Sequence, residues 1–306
     1  MKKFNFDVTV ASNALNCPNP SEWYDKAYLG GNVLGNFRLV PGVKESTKIS
    51  SNTFSSVLQD ESCTFAATAS QLSAVTVSVC SVKANTSICA ADLESSFVAQ
   101  EMAKGSQNYT PEAFMSHYWD SLNMKIQEEI EGIRWKGSTT NTGYTGTSAY
   151  LSLCDGYEKL LLADANVVDV TLTAVTVANV ISVLSAVVAA APAAIKGFRK
   201  TDLRIYVASN VFLAYQIATS NLYLTTPSVD ATFAGIKIVE QAGMSDNKIV
   251  FSRYDNLAYA FDGESDGELV AVDRLKAGHG VRGLYVTAFL KLGFQILNPS
   301  EIVYFN

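Results

Sequence analysis

The chain has 306 residues, of which 48% are hydrophobic and 17% are charged, and its formal net charge is −6. This length suffices for one large domain or two ordinary ones, and the apolar share excludes a disordered chain. An acidic chain whose basic residues are dispersed is a poor candidate for a dedicated nucleic-acid-binding protein. Affinity for nucleic acid comes mostly from Lys and Arg side chains that neutralise phosphates. The low charge fraction indicates that much surface is buried, in a core or against partners.

The sequence contains five cysteines and two histidines, so it offers few ligands for a metal site. No two cysteines are separated by two or three residues, so the usual zinc spacing is absent, and their odd number and wide spacing do not suggest a disulfide framework. We therefore predict no metal and no cofactor. No apolar stretch follows the two lysines at the start, which argues against a secretory signal. The uncharged stretch Val170–Ile195 is interpreted as a buried strand and helix rather than a membrane span, because it contains Asn179 and Pro192.

The first third of the chain reads as an irregular segment followed by β-structure. Residues 1–35 are rich in Asn, Pro and Gly and are predicted to be irregular. Strands are predicted over 36–40 and 72–82, with a polar stretch between them, so 36–82 resembles a long hairpin. Its tip has almost nothing to bury, and a two-stranded hairpin alone is marginal in water. We expect it to be stabilised by lying on something else.

A long amphipathic helix is predicted over 110–135. Thr110 is a plausible N-cap, Pro111 suits the first helical position, and large apolar residues recur every four positions from Phe114 to Ile130. A helix of this length spans about 36 Å at 1.5 Å per residue.

From residue 155 onward the pattern is mixed α/β. Helices are predicted from Asp155, as N-cap, to 162, over 177–190 and from Ser209 to 220, with a loop over 221–234. Strands are predicted over 167–172, 203–207, 236–239, 248–251, 257–261, 269–272, 284–290 and 302–305.

No enzymatic signature is found. The run Gly278–Gly283 matches G-x-G-x-x-G, but a strand pattern follows it, so we interpret it as a turn rather than a dinucleotide site. A catalytic triad would have to use His117, on the long helix, or His279, in that turn. The acidic run Asp262–Glu268 lacks the ordered ligands of an EF-hand loop. We predict that the protein is not an enzyme and has no catalytic residues.

A dense basic cluster comprises Lys196, Arg199, Lys200 and Arg204. It could steer an acidic neighbour or a phosphate group, and the alternative, which we favour, is a solvated connector between a helix and a strand.

The order of these features resembles that of the major capsid proteins of tailed double-stranded DNA bacteriophages, the Hong Kong phage-type fold shared with encapsulins. The resemblance covers about residues 30–305 and includes a tryptophan and a glycine after the long helix. The local stretches that carry it are Ile133–Gly137, Leu153–Tyr157, Leu203–Ser209, Phe233–Ile238 and Asn256–Asp262.

This resemblance implies an α+β capsid fold with four parts. Residues 1–35 would be the N-terminal arm and 36–82 the extended β-hairpin loop. The peripheral domain would consist of residues 83–153 and 255–306, and its spine helix would be the helix at about 110–135. The α/β axial domain would consist of residues 154–254. Relatives often begin with a cleaved scaffolding segment, and this sequence has almost none, so we expect a separate scaffolding protein or none at all.

The function implied is that of a structural protein that self-assembles into hexamers and pentamers of an icosahedral virion shell enclosing packaged double-stranded DNA. The implied partners are other copies of the chain, portal, scaffolding or decoration proteins, and DNA contacted without sequence specificity on the inner face, with no membrane. The location would be the virion capsid, and the host cytoplasm during assembly. One alternative is an encapsulin-type compartment with protein cargo. Another is a cytosolic α/β enzyme, a discrete monomer or dimer with a pocket containing His117 or His279.

Contacts between subunits are expected in the hairpin, in the axial loop at 221–235 and in the basic cluster. Some relatives cross-link a lysine of the extended loop to an asparagine, but no motif identifies a reactive lysine here, and no cross-link is predicted. The contact candidates are Lys44, Lys48, Phe54, Leu58, Lys196, Arg199, Lys200, Arg204, Tyr223 and Thr225.

Overall fold

A computed structural model describes residues 20–54, 58, 61, 70–89, 111–171, 174–197, 199–223, 231–262, 270–274 and 283–306. The helices in these ranges are α1 (Pro20–Leu29), α2 (Pro111–Lys136), α3 (Tyr157–Ala163), α4 (Val180–Ala189), α5 (Ala193–Lys196) and α6 (Ser209–Tyr223). The strands are β1 (Arg38–Val40), β2 (Ser46–Phe54), β3 (Ser70–Ser78), β4 (Cys80–Cys89), β5 (Val168–Val170), β6 (Leu203–Ala208), β7 (Thr232–Phe233), β8 (Ile236–Gln241), β9 (Ile249–Arg253), β10 (Leu257–Phe261), β11 (Val270–Arg274), β12 (Gly283–Ile296) and β13 (Val303–Phe305). Short 3₁₀ turns lie at Gly146–Ser152, Lys200–Asp202 and Pro299–Glu301.

The chain divides into two compact units. The first contains the described parts of residues 1–31, 81–130 and 263–290, and the second contains those of 32–80, 131–262 and 291–306. The second unit therefore holds the β2–β3 hairpin together with most of the mixed α/β segment.

In the first unit, α1 packs against the first part of α2. The Trp23 indole nitrogen donates to the Trp119 carbonyl oxygen at 3.3 Å, and the Asn123 amide donates to the Trp23 carbonyl oxygen at 2.8 Å. Tyr24, Ala27 and Tyr28 are buried beside them. The prediction of irregular structure is therefore wrong for residues 20–29. The Asn- and Pro-rich composition that suggested it ends where the buried aromatic residues begin, and residues 1–19 lie outside the described part.

The long helix is confirmed, since α2 extends from Pro111 to Lys136 where 110–135 was predicted. The side chains of Ile126, Ile130 and Ile133 are buried at the spacing that an amphipathic helix requires. The helix ends at Lys136, and the amide of the next residue, Gly137, still donates to the Ile133 carbonyl oxygen at 3.0 Å. Also in the first unit, β11 pairs antiparallel with the beginning of β12, from Val270 opposite Ala288 to Arg274 opposite Leu284.

A six-stranded sheet forms the centre of the second unit, with the strand order β5-β13-β9-β6-β8-β7. The pairs β6–β8 and β13–β5 are parallel, and the other neighbours are antiparallel. Helices α4 and α6 pack on each other and on this sheet. Val180, Leu184 and Val187 of α4 are buried, as the apolar pattern over 177–190 predicted. The predicted strands of this segment, including 203–207 and 236–239, are likewise confirmed.

The short helix after residue 155 is confirmed, but its predicted cap is wrong. Helix α3 begins at Tyr157, Gly156 occupies the N-cap position, and no side chain caps it. The Asp155 carboxylate instead accepts hydrogen bonds from the Thr139 amide at 2.7 Å and from the Lys159 ammonium group at 2.7 Å. Asp155 therefore connects the segment after α2 to α3.

A second, smaller β-layer in this unit supports the hairpin. Strand β1 pairs parallel with β10, and β10 pairs antiparallel with the end of β12, from Leu257 opposite Ile296 to Phe261 opposite Leu292. Among the described helices, none is both long enough and apolar enough to cross a lipid bilayer.

Candidate assembly surfaces

The hairpin is a long two-stranded ribbon that is mostly exposed. Strands β2 and β3 pair antiparallel over nine positions, from Ser46 opposite Ser78 to Phe54 opposite Ser70. This pairing gives the ribbon a length of about 27 Å. Among its described side chains, Val77 is the one that is fully buried, and Leu72 near the far end is 72% exposed. A ribbon of this length with exposed apolar side chains leaves backbone and side-chain surface available to a partner.

The base of the hairpin, by contrast, is fixed firmly to the small β-layer. Val77 packs with Val43, Ala258 and Ala260, and Ile49 covers the edge of this cluster. Backbone hydrogen bonds from the Val79 amide to the Glu45 carbonyl oxygen at 2.9 Å, and from Val43 to Phe261 at 3.2 Å, join the same elements. The base is therefore part of the folded core, while the remainder of the ribbon extends from it.

Lys44 lies at this base in an ionic cluster. The buried Asp262 carboxylate lies 3.2 Å from the Lys44 ammonium group and 3.5 Å from that of Lys291. The Lys291 ammonium group also donates to the Lys44 carbonyl oxygen at 3.0 Å. These contacts within the subunit fix the backbone where the chain enters β2.

The other hairpin candidates lie farther out. Lys48 is exposed and pairs across the ribbon with Thr76, and Phe54 is the last residue of β2. Leu58 is 94% exposed. Lys48 and Phe54 therefore lie on β2, whereas Lys44 lies at the base of the ribbon.

The basic cluster divides into two groups. Lys196 and Arg199 are exposed, and within the described chain no carboxylate lies at ion-pair distance from either. Lys200 is exposed but donates to the Ala234 carbonyl oxygen at 2.7 Å. Arg204 is half-buried, donates to the Asn36 side-chain oxygen at 3.1 Å, and lies over the Tyr254 ring. Lys196 and Arg199 are therefore the members available to a partner.

The remaining predicted positions lie at or beyond the edges of the described chain. Tyr223 is the last residue of α6, and Thr225 lies outside the described residues, as does much of the 221–235 loop. His117 is in α2, and His279 is outside the described residues together with 278–282. Gly283 begins β12, so the strand expected after the glycine-rich run is confirmed.

Helices α4 and α6 present an uncharged surface that sequence reasoning did not identify as a contact surface. Helix α6 contains no charged residue, yet its Leu213 and Ile217 side chains are 57% and 41% exposed. The exposed positions of α4 are the small residues Ser182, Ser185 and Ala189. Solvated helix surfaces normally carry charges. The sequence feature that could have indicated this surface is the absence of any charged residue over 171–195 and over 205–229.

A buried aromatic junction holds the second unit together. The Trp135 indole nitrogen donates to the Gln241 side-chain oxygen at 3.0 Å, and the Tyr157 hydroxyl donates to the Ala258 carbonyl oxygen at 2.8 Å. The Arg134 guanidinium group is buried and lies 5.3 Å from the centre of the Phe37 ring and 5.1 Å from that of Tyr259. An arginine in the last turn of an amphipathic helix is usually exposed, so this burial was not foreseen from the sequence.

Burial sets the protonation of this junction. It raises the pKa of Tyr157 and of Tyr259 well above the usual tyrosine value, and the nearby Arg134 charge offsets only part of that rise. The phenols therefore stay protonated throughout the physiological range. In the described ranges, no group of three His, Cys, Asp or Glu side chains is placed to hold a metal ion.

Comparisons with known proteins identify the fold. No protein-family model matches the sequence, and no curated protein matches it. Among solved structures, a chain of the procapsid of satellite phage P4, in a structure that includes the size determination (Sid) protein, matches with a TM-score of 0.62 at 9% identity. That match covers 93% of this chain and 96% of that chain. The chain has the fold of a phage capsid subunit.

Two further shells share this fold. The capsid of an empty GTA particle matches with a TM-score of 0.57 at 14% identity, over 92% of this chain and 89% of that chain. A virus-like particle from Pyrococcus furiosus matches with a TM-score of 0.54 at 11% identity, over 96% of this chain and 98% of that chain. The α+β phage-capsid fold predicted from the order of elements is therefore confirmed.

Proposed function

We propose that this chain is the major structural subunit of an icosahedral virion shell that encloses double-stranded DNA. One observation carries the proposal: nearly the whole chain has the fold of chains found in capsid structures. The role is mechanical, and the protein is not an enzyme.

The hairpin is the first intersubunit element in this proposal. Its base is fixed by Val77 and the Asp262 ionic cluster, while Leu72 and Leu58 remain exposed. Apolar side chains on a ribbon this thin cannot be buried by the ribbon itself. A neighbouring subunit would cover them, and Lys48 would form a polar contact at the rim of that interface.

The uncharged surface of α4 and α6 is the second intersubunit element. Leu213 and Ile217 are exposed on a helix without any charge, and the exposed positions of α4, which packs on this helix, are small residues. A surface without charge is expelled from water more readily than an ordinary one, and it imposes no charge repulsion between identical copies. We assign this surface to contacts around the axis of a hexamer or pentamer, together with Tyr223 and Thr225.

The assignment of domains follows the same proposal. Residues 1–35 would act as an arm, and residues 36–82 would act as the extended loop. The peripheral domain would comprise 83–153 together with 255–306, and the axial domain would comprise 154–254. Lys196 and Arg199, which have no carboxylate partner in the described part of their own chain, would face an acidic group of a neighbouring subunit. Portal, scaffolding or decoration proteins would complete the particle, which would assemble in the host cytoplasm.

Electron microscopy of the purified native material tests the proposal. Closed icosahedral particles tens of nanometres across are expected, and nuclease-protected double-stranded DNA should be extracted from particles isolated from the infected or producing cell. Particles that contain a specific protein and no DNA would indicate an encapsulin-type compartment instead. A discrete monomer or dimer that forms no shell across a range of salt and crowding agents would contradict the shell proposal.

A further inference from the structure

The fold brings two distant cysteines together at the base of the hairpin. Cys80 is the first residue of β4, just after the hairpin ends, and Cys154 lies between the Gly146–Ser152 turn and α3. They are 74 positions apart in sequence, their Cα atoms are 6.0 Å apart, and they form a disulfide. This is a pairing that the sequence analysis did not foresee, because nothing in the spacing of five cysteines singles it out.

Contacts that do not involve sulfur hold both cysteines in place. Just before Cys80, the Val79 amide is bonded to Glu45, and the Ser78 carbonyl lies directly against Gly293 of β12. Next to Cys154, the Gly156 amide donates to the Gly137 carbonyl oxygen at 2.8 Å. These backbone contacts tie the residues next to each cysteine to the folded core without the help of the sulfur atoms.

We propose that Cys80 and Cys154 form a redox-controlled staple, open as thiols while the subunit folds and assembles and closed in the finished particle under oxidising conditions. The inference rests on the proposed function, because a virion leaves the reducing cytoplasm in which its subunits are made. Cytosolic thiols are kept reduced, whereas disulfides persist on extracellular particles. The same chain is therefore first in a reducing environment and later in an oxidising one.

The closing chemistry is a thiol–disulfide exchange with a small-molecule disulfide such as oxidised glutathione. Cys80 is partly exposed and Cys154 is fully buried, so the Cys80 thiolate attacks the reagent and releases one glutathione thiol. Cys154, deprotonated, then attacks the mixed disulfide at the Cys80 sulfur and releases the second. In total, the two protein thiols lose two electrons and two protons. The glutathione disulfide takes up both and is thereby reduced to two glutathione thiols.

The staple ties the base of the hairpin to the segment in front of α3. The covalent loop that it closes runs from 80 to 154 and contains β4 and all of α2. Closing a loop this long lowers the conformational entropy of the unfolded chain and so favours the folded subunit. The oxidised particle should therefore resist heat and denaturant better than the reduced one, with no change in how the subunits are arranged.

A thiol count on the full-length protein tests the bond directly. Protein purified with reductant is divided, one half is treated with oxidised glutathione, and both halves are denatured and alkylated with N-ethylmaleimide. Mass spectrometry should find five alkylated cysteines before oxidation and three afterwards, with the peptides of Cys80 and Cys154 joined. The C80S/C154S variant should show three in both halves. Five alkylated cysteines after oxidation, or joined peptides from other cysteines, would overturn the proposal.

The consequence is tested on the wild-type particle, so no variant has to fold. Oxidation should raise the thermal midpoint by about 5 °C or more, and a reductant should reverse the rise. Equal midpoints in the two states would show that the bond, if formed, does not staple the particle. Microscopy of the reduced sample reports separately on shell formation, so a failure of the proposed function is distinguishable from a failure of the staple.

Discussion

The aromatic junction and the β2–β3 hairpin belong to the same unit but are built in opposite ways. Trp135 and Tyr157 are completely buried among other rings and have their polar atoms bonded to Gln241 and Ala258. Leu72, on the hairpin, has most of its surface in water. The hairpin is ordered by its backbone pairing and its base, whereas the junction is ordered by packing.

Under the proposed function, these two regions perform different tasks. Burial of large side chains stabilises the fold of a single chain, so the aromatic junction determines whether the subunit folds. An exposed apolar ribbon contributes almost nothing to that free energy, and its surface is useful only when a second chain covers it. Variants in the two regions should therefore fail at different stages, the first in folding and the second in assembly.

Replacing Trp135 should have the largest effect on folding. Trp135→Ala removes a ring that packs on Phe37, Tyr157 and Tyr206, and it leaves the Gln241 side chain without this partner. We expect the free energy of unfolding to fall by about 3–5 kcal/mol. Urea unfolding of the unassembled subunit, followed by circular dichroism, measures it. A loss below about 1 kcal/mol would mean that the junction is not the centre of stability.

Crowding the base of the hairpin should have the next largest effect. A Cβ atom at Gly293 would overlap the Ser78 carbonyl oxygen and the Val79 side chain, so Gly293→Ala has to push the hairpin base away from β12. We expect a loss of about 2 kcal/mol in the same unfolding experiment. Gly197→Ala is the matched control, because nothing lies near its added methyl group. Equal midpoints for both variants would contradict the description of the base as fixed.

Removing one buried hydroxyl should have a smaller effect. Tyr157→Phe leaves the ring in place but deprives the Ala258 carbonyl oxygen of its 2.8 Å hydrogen bond. The expected loss is about 1–2 kcal/mol. Tyr285→Phe removes a hydroxyl from a partly exposed tyrosine and should change stability by less than about 0.5 kcal/mol. If the two variants are equally stable, the bond to Ala258 contributes little.

Acid should weaken the contact of Asp155 with its neighbours. Partial burial tends to raise the pKa of Asp155, but hydrogen bonds from Lys159 and Thr139 outweigh it, so the pKa lies below the ordinary value of 3.8. Since the folded pKa is lowered, this stability is present above pH 3.8 and is lost as the pH falls through the folded pKa. Asp155→Asn should cost about 1 kcal/mol at pH 7.

The same variant gives the pH test. The difference in unfolding free energy between wild type and Asp155→Asn should shrink as the pH is lowered through this range, as measured by urea unfolding at a series of pH values. A difference that stays constant or grows on acidification would show that the carboxylate charge does not stabilise this contact.

Charging the hairpin should leave folding unchanged and block assembly. Leu72→Asp alters a side chain that is 72% exposed, so we expect a change in unfolding free energy within about 0.5 kcal/mol. In the shell the same aspartate would be buried against a neighbour, and the yield of closed particles on size-exclusion chromatography should fall at least tenfold. Leu72→Met, which keeps an apolar side chain there, should assemble normally. Normal assembly of Leu72→Asp would remove this residue from the interface.

Periodicity in the sequence predicted most of the elements, because each of them buries a regular stripe. The buried positions of α2 recur at helical spacing, and the valines of β3 alternate, so local patterns were sufficient for both. Helix α1 was missed because its buried aromatic residues are crowded into a short stretch that follows Asn and Pro residues. A short helix whose stability depends on packing against α2 carries little local signal.

The candidate assembly surfaces and the contacts that support them were only partly visible in the sequence. The hairpin was recognisable because its sequence contains too little apolar material for a core, but its first strand was predicted wrongly. The predicted strand over 36–40 pairs with β10, and the strand opposite β3 is β2, which lies in the polar stretch predicted to connect the two strands. The burial of Arg134 between Phe37 and Tyr259, and the pairing of Cys80 with Cys154, depend on contacts between residues distant in sequence. No local pattern encodes such contacts, so they became visible only in the folded chain.

The most direct test of the account is a cryo-electron microscopy map of the assembled particle at a resolution that traces the backbone. We predict a closed shell in which strands β2 and β3 lie on a neighbouring subunit, with Leu72 covered by that neighbour and the base at Val77 still packed in its own subunit. A shell in which the hairpin touches no neighbour and Leu72 remains in solvent would contradict the division between a folding core and an assembly ribbon.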